Sequence, residues 1–274
     1  MAVLKPITRL ITVESLYVAI EDTKPSTFVF AGEQHDFWEA VLVSGGDAVA
    51  TGDERVYNLK AGEILFHKPM EYHRIAAYGG MPLELKNISF TASGEGMQLF
   101  ENRMFSLNFS FLEQFENVFD KFQKAIKLYN QNDEEYYYHS NMVATALEDF
   151  LLRLSSRRPT DNTTPSKEAL LYKKIVLTMN ENSDKALSLE ELSVLCGMST
   201  SNVKRIFSLF SDIPPAKYFL NLRIRKAAAL LEDGLSVGKV AERLDFSSTA
   251  YLCTCFIREM GISPAQYKKQ KMNG

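Results

Sequence analysis

The sequence has few of the features that mark secreted and membrane proteins. It contains three cysteines in 274 residues, too few for the disulfide framework of many small secreted domains. Their positions also lack the paired spacing of a zinc site. No apolar run reaches the ~18 residues of a membrane helix, and the N-terminus lacks the basic start and apolar core of a signal peptide. These absences predict a cytoplasmic protein with no membrane partner.

Length and charge divide the chain into two parts. Its 274 residues exceed the ~100–200 residues of a usual domain. From Ser166 onward, 16 lysines and arginines stand against 11 acidic residues, a formal charge of +5. The first 165 residues have 15 against 23, a formal charge of −8. We therefore expect two domains, of which only the basic C-terminal one contacts phosphate.

A motif occurs twice in the basic part. The first copy spans Leu187–Tyr218 and the second spans Leu235–Tyr267. The offset is 48 residues before a serine-containing turn and 49 residues after it. Internal repetition of this kind determines the architecture. It predicts two similar helical units, and each has the pattern of a helix-turn-helix.

Helix caps define the first unit. Ser188 and Glu191 have the spacing of a capping box, and Gly197 can end that helix in the left-handed conformation. The next helix has an apolar face and a short polar, basic face, which suits the major groove of DNA. The candidate DNA contacts here are Ser199, Thr200, Ser201, Asn202, Lys204 and Arg205.

The second unit follows the same plan. Ser236 is placed to cap its first helix, and either Ser247 or Ser248 to cap its second. Between the units, Pro215 suits the first position of one long helix that ends near Gly234. Such a helix could hold two recognition helices in successive major grooves, about 34 Å apart. Candidate DNA contacts in this unit are Ser247, Ser248, Thr249, Ala250 and Thr254.

The basic part resembles the AraC/XylS family of bacterial transcription regulators over about residues 167–270. The segments that carry the resemblance are Leu189–Leu192, Gly197–Ser199, Leu222–Ile224 with Ala227, and Phe246–Pro264. The resemblance implies a regulator, not an enzyme, that binds double-stranded DNA in a sequence-specific way. It also implies RNA polymerase as a partner.

Two positions depart from the family pattern. Asp245 stands where a glycine is usual in the second turn, and aspartate tolerates the left-handed conformation better than most residues. Thr254 stands where the last recognition helix commonly presents an arginine. We therefore expect the second unit to contact mainly the DNA backbone.

The acidic first half has a strand pattern over residues 7–95. Short β-rich runs between turns are typical of an antiparallel sandwich or barrel. The runs are Thr27–Phe30, Phe37–Val43, Asp47–Ala50, Arg55–Leu59, Ile64–His67, Tyr72–Ala77 and Leu85–Phe90. Parts of this region resemble the two cupin motifs, and the cupin fold forms the sensor domain of many AraC-type regulators. The predicted fold class is α+β, with an N-terminal cupin or jelly-roll β-barrel and flanking helices, and a C-terminal all-α domain.

The cupin resemblance indicates where an effector would bind. Metal-binding cupins have a second histidine in the first motif, but Phe37 stands at that place. A site with three ligands could still hold an ion, yet the sequence favours no metal and no cofactor. The residues assigned to a small polar effector, with a sugar as the favoured class, are His35, Trp38, Glu39 and His73. Trp38 could instead belong to the core.

Two other functions remain open at this point. One is a metal-dependent cupin enzyme that carries a DNA-binding domain, which stoichiometric metal would favour. The other is a regulator that binds no small molecule and is controlled by a protein partner. A barrel filled by its own side chains would favour that second alternative.

Two amphipathic helices are predicted over residues 107–154. Their apolar faces either complete the core of the barrel or form a homodimer contact, which is common for such helices in this family. The polar stretch 156–166, with two prolines, is typical of a linker. The predicted domains are therefore residues 1–155 for effector sensing and dimerisation, and residues 167–274 for DNA binding.

Overall fold

The computed structural model describes residues 8–30, 32–129, 131, 133–160 and 167–272. It divides into two compact units, Met1–Thr164 and Pro165–Gly274. The last part of the predicted linker, residues 161–166, lies outside the described residues. Among the described helices, none is long and apolar enough to cross a membrane.

The N-terminal unit contains two antiparallel β-sheets, which confirms the predicted strand arrangement at this level. The five-stranded sheet has the order β1-β7-β2-β5-β8, and the three-stranded sheet has the order β4-β3-β6. The strands are β1 (Thr12–Lys24), β2 (Trp38–Gly45), β3 (Asp47–Gly52), β4 (Arg55–Lys60), β5 (Glu63–His67), β6 (His73–Tyr78), β7 (Leu83–Ser93) and β8 (Arg103–Ser106). A short 3-10 helix, Glu95–Phe100, separates β7 from β8.

Two strands and one bridge differ from the predicted runs. Strand β1 pairs with β7, but register shifts between Val13 and Ser15 and between Leu16 and Val18 break its alternation. An interrupted period of two conceals a strand in the sequence pattern. Strand β8 was also not predicted, and it has only four residues. The predicted run Thr27–Phe30 forms only an isolated bridge, from Val29 to Ala76.

The five-stranded sheet is covered on both faces. Helices α1 (Phe109–Leu128) and α2 (Asp133–Ser155) pack on one face. The other face packs against the three-stranded sheet through a second apolar cluster. The aromatic face of α1, which includes Phe115, Phe119 and Phe122, is buried against the sheet and α2. This side of α1 therefore serves intrachain packing, one of the two alternatives that the sequence left open.

The C-terminal unit is helical. Its helices are α3 (Lys167–Glu181), α4 (Leu189–Cys196), α5 (Thr200–Phe210), α6 (Pro215–Glu232), α7 (Val237–Arg243), α8 (Thr249–Met260) and α9 (Pro264–Met272). Helix α6 lies between two helix pairs, α4–α5 and α7–α8, and contacts members of both. It begins at Pro215 as predicted and ends close to Gly234.

The predicted caps of the helix pairs are present. Ser188 and Glu191 form the reciprocal capping box at the start of α4, and Gly197 ends that helix at φ 65°. Of the two serines considered for α8, Ser248 is the cap, because its hydroxyl accepts a hydrogen bond from the N–H of Tyr251. Asp245 adopts the left-handed conformation at φ 52°, as expected for the residue in place of glycine.

Candidate functional site

A cavity of about 320 Å³ opens in the N-terminal unit. Its wall is formed by β1, β2, β6, β7 and the segment between β1 and β2. The lining residues are Ile20, Asp22, Lys24, Phe28, Phe30, Glu33, Glu39, Val41, Ile75, Leu85 and Asn87. Six of these residues are apolar and five are polar or charged, and a combination of apolar surface with polar groups is usual for a small-molecule site.

Strand alternation determines which residues of β2 face this cavity. Glu39 and Val41 line it. Successive residues of a strand point to opposite faces of the sheet, so Trp38 belongs to the apolar cluster beneath α1 and α2. Trp38 is buried there with 5% of its surface exposed. This placement corrects the assignment of Trp38 to the effector site and favours the alternative that it is a core residue.

The other three predicted residues lie together, and a fourth joins them. Ligand atoms of Glu33, His35, Glu39 and His73 all lie within 4.8 Å of one another. Glu33 and His73 are held side by side by two backbone hydrogen bonds, each N–H donating to the other carbonyl at 3.0 Å. The motif spacing does not identify Glu33, and its position two residues before His35 is the only signal for it in the local sequence.

The two histidine rings present the same nitrogen to Glu39. Nδ1 of His35 lies 3.0 Å from the carbonyl oxygen of Phe37, and Nδ1 of His73 lies 3.1 Å from that of Glu71. Because a carbonyl oxygen only accepts hydrogen bonds, both Nδ1 atoms carry a proton. Nε2 of His35 then faces Oε2 of Glu39 at 3.1 Å, and Nε2 of His73 faces the same oxygen at 3.7 Å.

Burial and charge act against each other in this cluster. Burial alone would raise the pKa of Glu39, but the hydrogen bond with His35 and the charge of His73 hold it well below its usual range. Burial would likewise lower the pKa of His73, but the carboxylates of Glu33 and Glu39 raise it to about 10. The cluster is therefore a charged region beside the cavity, and Glu33 and Glu39 bring it into the cavity wall.

His67, which the sequence did not assign to the site, packs against the cluster. Its ring stacks on that of His73, with centroids 4.2 Å apart, and its Nδ1 lies 3.4 Å from Oε2 of Glu71. Burial, followed by the charge of His73, lowers the pKa of His67. His67 thus packs against the His73 ring, and its stacking restrains the orientation of that ring.

In the C-terminal unit, α5 exposes the polar face that the sequence predicts. Of the candidates, Ser199, Ser201, Lys204 and Arg205 are exposed, and Thr200 and Asn202 are half-buried. The hydroxyl of Ser199 caps the helix by accepting from the N–H of Asn202 at 3.3 Å. Oδ1 of Asn202 accepts from Nη2 of Arg205 at 3.2 Å, which orients the guanidinium on the exposed face.

Helix α8 exposes a less polar surface. Ser247, Ser248, Thr249, Ala250 and Thr254 are all exposed. The hydroxyl of Thr254 donates to the carbonyl oxygen of Ala250 at 3.0 Å, within its own helix. Arg258, one turn beyond Thr254, is exposed, and its Nε pairs with Oε1 of Glu259 at 3.0 Å. The sequence pattern did not single out this cation. Its spacing of four residues from Thr254 was the signal that could have revealed it.

Comparisons with known proteins match both units. Residues 15–97 match the family described as AraC-like ligand binding domain, and residues 192–270 match the family described as helix-turn-helix domain. The chain is 22% identical over 254 residues to the HTH-type transcriptional activator RhaR of Mannheimia succiniciproducens, covering 88% of each chain. It is also 22% identical over 259 residues to RhaR of Escherichia coli K12, covering 92% of this chain and 91% of the relative.

A solved structure is similar to part of the chain. It is a transcriptional regulator with an AraC-type DNA-binding domain from Chromobacterium violaceum, 25% identical, at a TM-score of 0.34. The match covers 36% of this chain and 88% of that one.

Proposed function

The chain belongs to the AraC family of transcriptional regulators, and we propose that it binds specific duplex DNA under the control of a small polar ligand held in the N-terminal cavity. The relatives are named as transcriptional regulators, not enzymes. The observation that carries the ligand part of the proposal is the cavity itself, with the Glu39 cluster on its wall.

The DNA-binding part rests on two helix-turn-helix units, α4–α5 and α7–α8. Helix α5 is the stronger recognition helix, because Lys204 and the Asn202–Arg205 pair are presented together on its outer face. Helix α8 offers hydroxyl groups and Arg258, which suit phosphate more than base edges. The charge of +5 from Ser166 onward provides the general attraction to DNA.

The effector part rests on the chemistry of the cavity wall. Phe28 and Phe30 provide aromatic surface, while Asp22, Glu39 and Asn87 provide groups that accept or donate hydrogen bonds. The apolar face of a sugar ring can pack on the aromatic surface while its hydroxyl groups bond to the polar groups, so a sugar is the favoured class of effector. A cavity that is open to a ligand disfavours the alternative of a regulator controlled only by a protein partner.

We further propose a homodimer through the exposed side of α2. Tyr138, Met142 and Leu152 lie on one face of this helix and are 63%, 50% and 42% exposed. Apolar side chains on one exposed helix face commonly pair with a partner. RNA polymerase as a further partner stays a prediction from the family.

A sugar screen with the full-length protein tests the ligand part directly. Thermal unfolding is measured with a panel of monosaccharides and sugar acids, and hits are followed by fluorescence anisotropy with a target duplex. The proposal predicts that a hit raises the unfolding temperature and changes DNA affinity. An Asn87→Leu variant, altered only at the cavity wall, should lose both responses. A hit that acts equally on this variant would place the effector elsewhere.

A further inference from the structure

We propose that His35, Glu39 and His73, together with Glu33, form a binding site for one divalent transition-metal ion. The sequence favours no metal because Phe37 stands where metal-binding cupins have their second histidine. In the structure Phe37 stacks on the ring of His35, with centroids 3.8 Å apart, and Glu33 completes the set instead.

The spacing of the four side chains fits an ion at their centre. Nε2 of His35 lies 3.1 Å from Oε2 of Glu39, and Nε2 of His73 lies 3.7 Å from the same oxygen and 3.8 Å from Oε1 of Glu33. All four ligand atoms lie within 4.8 Å of one another. Bonds of about 2.0–2.2 Å to a tetrahedral ion place ligand atoms about 3.3–3.6 Å apart. Three contacts already lie close to this range, and the other separations, which are at most 4.8 Å, must shorten wherever they exceed it for all four atoms to reach ligand distances.

Hydrogen bonding alone does not account for the arrangement. Nε2 of His73 lies 3.7 Å from Glu39 and 3.8 Å from Glu33, whereas a charge-assisted hydrogen bond draws such atoms to about 2.7–2.9 Å. This nitrogen has no hydrogen-bond partner among the described residues, although His73 is only 3% exposed. A buried polar atom without a partner calls for an explanation, and a cation between the carboxylates provides one.

The orientation of both rings also matches that of metal ligands. In metal sites the ligating histidine usually donates its other ring N–H to a backbone carbonyl or a carboxylate, which fixes the ring and the tautomer. His35 and His73 both bond backbone carbonyls through Nδ1, which directs their Nε2 atoms into the cluster. The stacked ring of His67 restrains His73 further.

The donor set determines the class of ion. Two imidazole nitrogens with two carboxylates suit Zn²⁺, Fe²⁺, Mn²⁺ or Co²⁺, whereas Mg²⁺ and Ca²⁺ prefer oxygen ligands alone. Glu33 and Glu39 also line the cavity, so the ion would lie on the cavity wall. An oxygen atom of the effector could then complete the coordination of the ion, and this extension rests on the proposed function.

Metal titration of the purified full-length protein tests the site without DNA or effector. The protein is stripped with a chelator and titrated with Zn²⁺ and with Mn²⁺ by calorimetry, and the bound metal is counted by elemental analysis. We expect one ion per chain for at least one of these metals. A protein that binds neither metal above the level of the quadruple variant lacking all four side chains would overturn the proposal.

Variants locate the bound ion. His73→Asn should lower affinity at least tenfold, and Glu33→Gln should also weaken binding, since its half-exposed side chain can change without loss of the fold. His139→Asn, a histidine on α2 outside the cluster, is the matched control and should bind as the parent does. Far-ultraviolet circular dichroism confirms that each variant is folded. Unchanged stoichiometry and affinity in folded Glu33→Gln and His73→Asn would place the ion elsewhere and overturn the proposal.

Because this test uses neither DNA nor effector, its failure leaves the proposed function standing. A protein that binds metal but shows no change in unfolding temperature or DNA affinity with any ligand would contradict the proposed function and leave the metal site standing. The two outcomes are therefore distinguishable.

Discussion

The guanidinium group of Arg223 lies 4.2 Å from the centre of the Phe246 ring and thereby joins α6 to the turn between α7 and α8. Its Nη2 donates to the carbonyl oxygens of Leu244 and Asp245 at 2.5 and 3.0 Å. Those carbonyls flank the left-handed residue Asp245. A single buried cation thus fixes the turn that positions α8.

Replacing Arg223 should destabilise the C-terminal unit. Arg223→Met keeps much of the apolar stem but removes the donor to the carbonyl oxygens of Leu244 and Asp245 and the contact with the Phe246 ring, so we expect a loss of about 2–4 kcal/mol in the free energy of unfolding. Urea denaturation measures the change. Arg243→Met, at an exposed position on α7, is the control and should alter stability by less than about 0.5 kcal/mol. Equal effects of the two changes would contradict the structural role of Arg223.

Arg205 should provide base recognition in the first unit. Arg205→Ala is expected to cost about 1–3 kcal/mol of binding free energy on a specific duplex and much less on unrelated DNA. Fluorescence anisotropy with both duplexes measures the difference. Lys173 is an exposed cation on α3. Lys173→Ala removes the same charge and should weaken binding to both duplexes equally. A uniform loss in Arg205→Ala would instead make Arg205 a phosphate contact.

On α8, Arg258 should matter more than Thr254. The Thr254 hydroxyl is already bonded to Ala250, so Thr254→Ala should change DNA affinity by less than about 0.5 kcal/mol. Arg258→Ala should weaken binding to every sequence and reduce the slope of log affinity against log salt by about 1. Titrations at several salt concentrations give the slope. A sequence-dependent loss in Thr254→Ala would show that α8 contacts bases.

Trp38 should affect stability and not ligand selectivity. Trp38→Leu leaves a space in the cluster beneath α1 and α2, and a loss of about 2–4 kcal/mol in unfolding free energy is expected. Ligand binding by the protein that remains folded should be unchanged, since Trp38 lies on the opposite face from Glu39. Denaturation combined with calorimetric ligand titration separates the two effects. A selective loss of ligand affinity at unchanged stability would return Trp38 to the site.

The sequence predicted some parts of this molecule better than others because local and long-range interactions leave different traces. The capping box of Ser188 and the end of α4 at Gly197 depend on neighbours within a few residues, so the pattern alone revealed them. Strand β1 is held by pairing with β7, far along the chain, and its bulges break the alternation that would have revealed it.

The candidate site shows the same limit. His35, Glu39 and His73 were identified from motif spacing, but the role of Glu33 depends on a bridge to His73 forty residues away along the chain. Whether Trp38 or Glu39 faces the cavity depends on which side of β2 the helices cover. Neither fact is encoded in local spacing.

Selection of bound duplexes from a random DNA pool by the full-length protein, at near-physiological salt, tests the central claim most directly. Two recognition helices predict a bipartite motif with blocks about one helical turn apart, and the block contacted by α5 should be the more strongly constrained. If the folded protein enriches no sequence, with or without the ligands that stabilise it, sequence-specific regulation through α5 and α8 is contradicted.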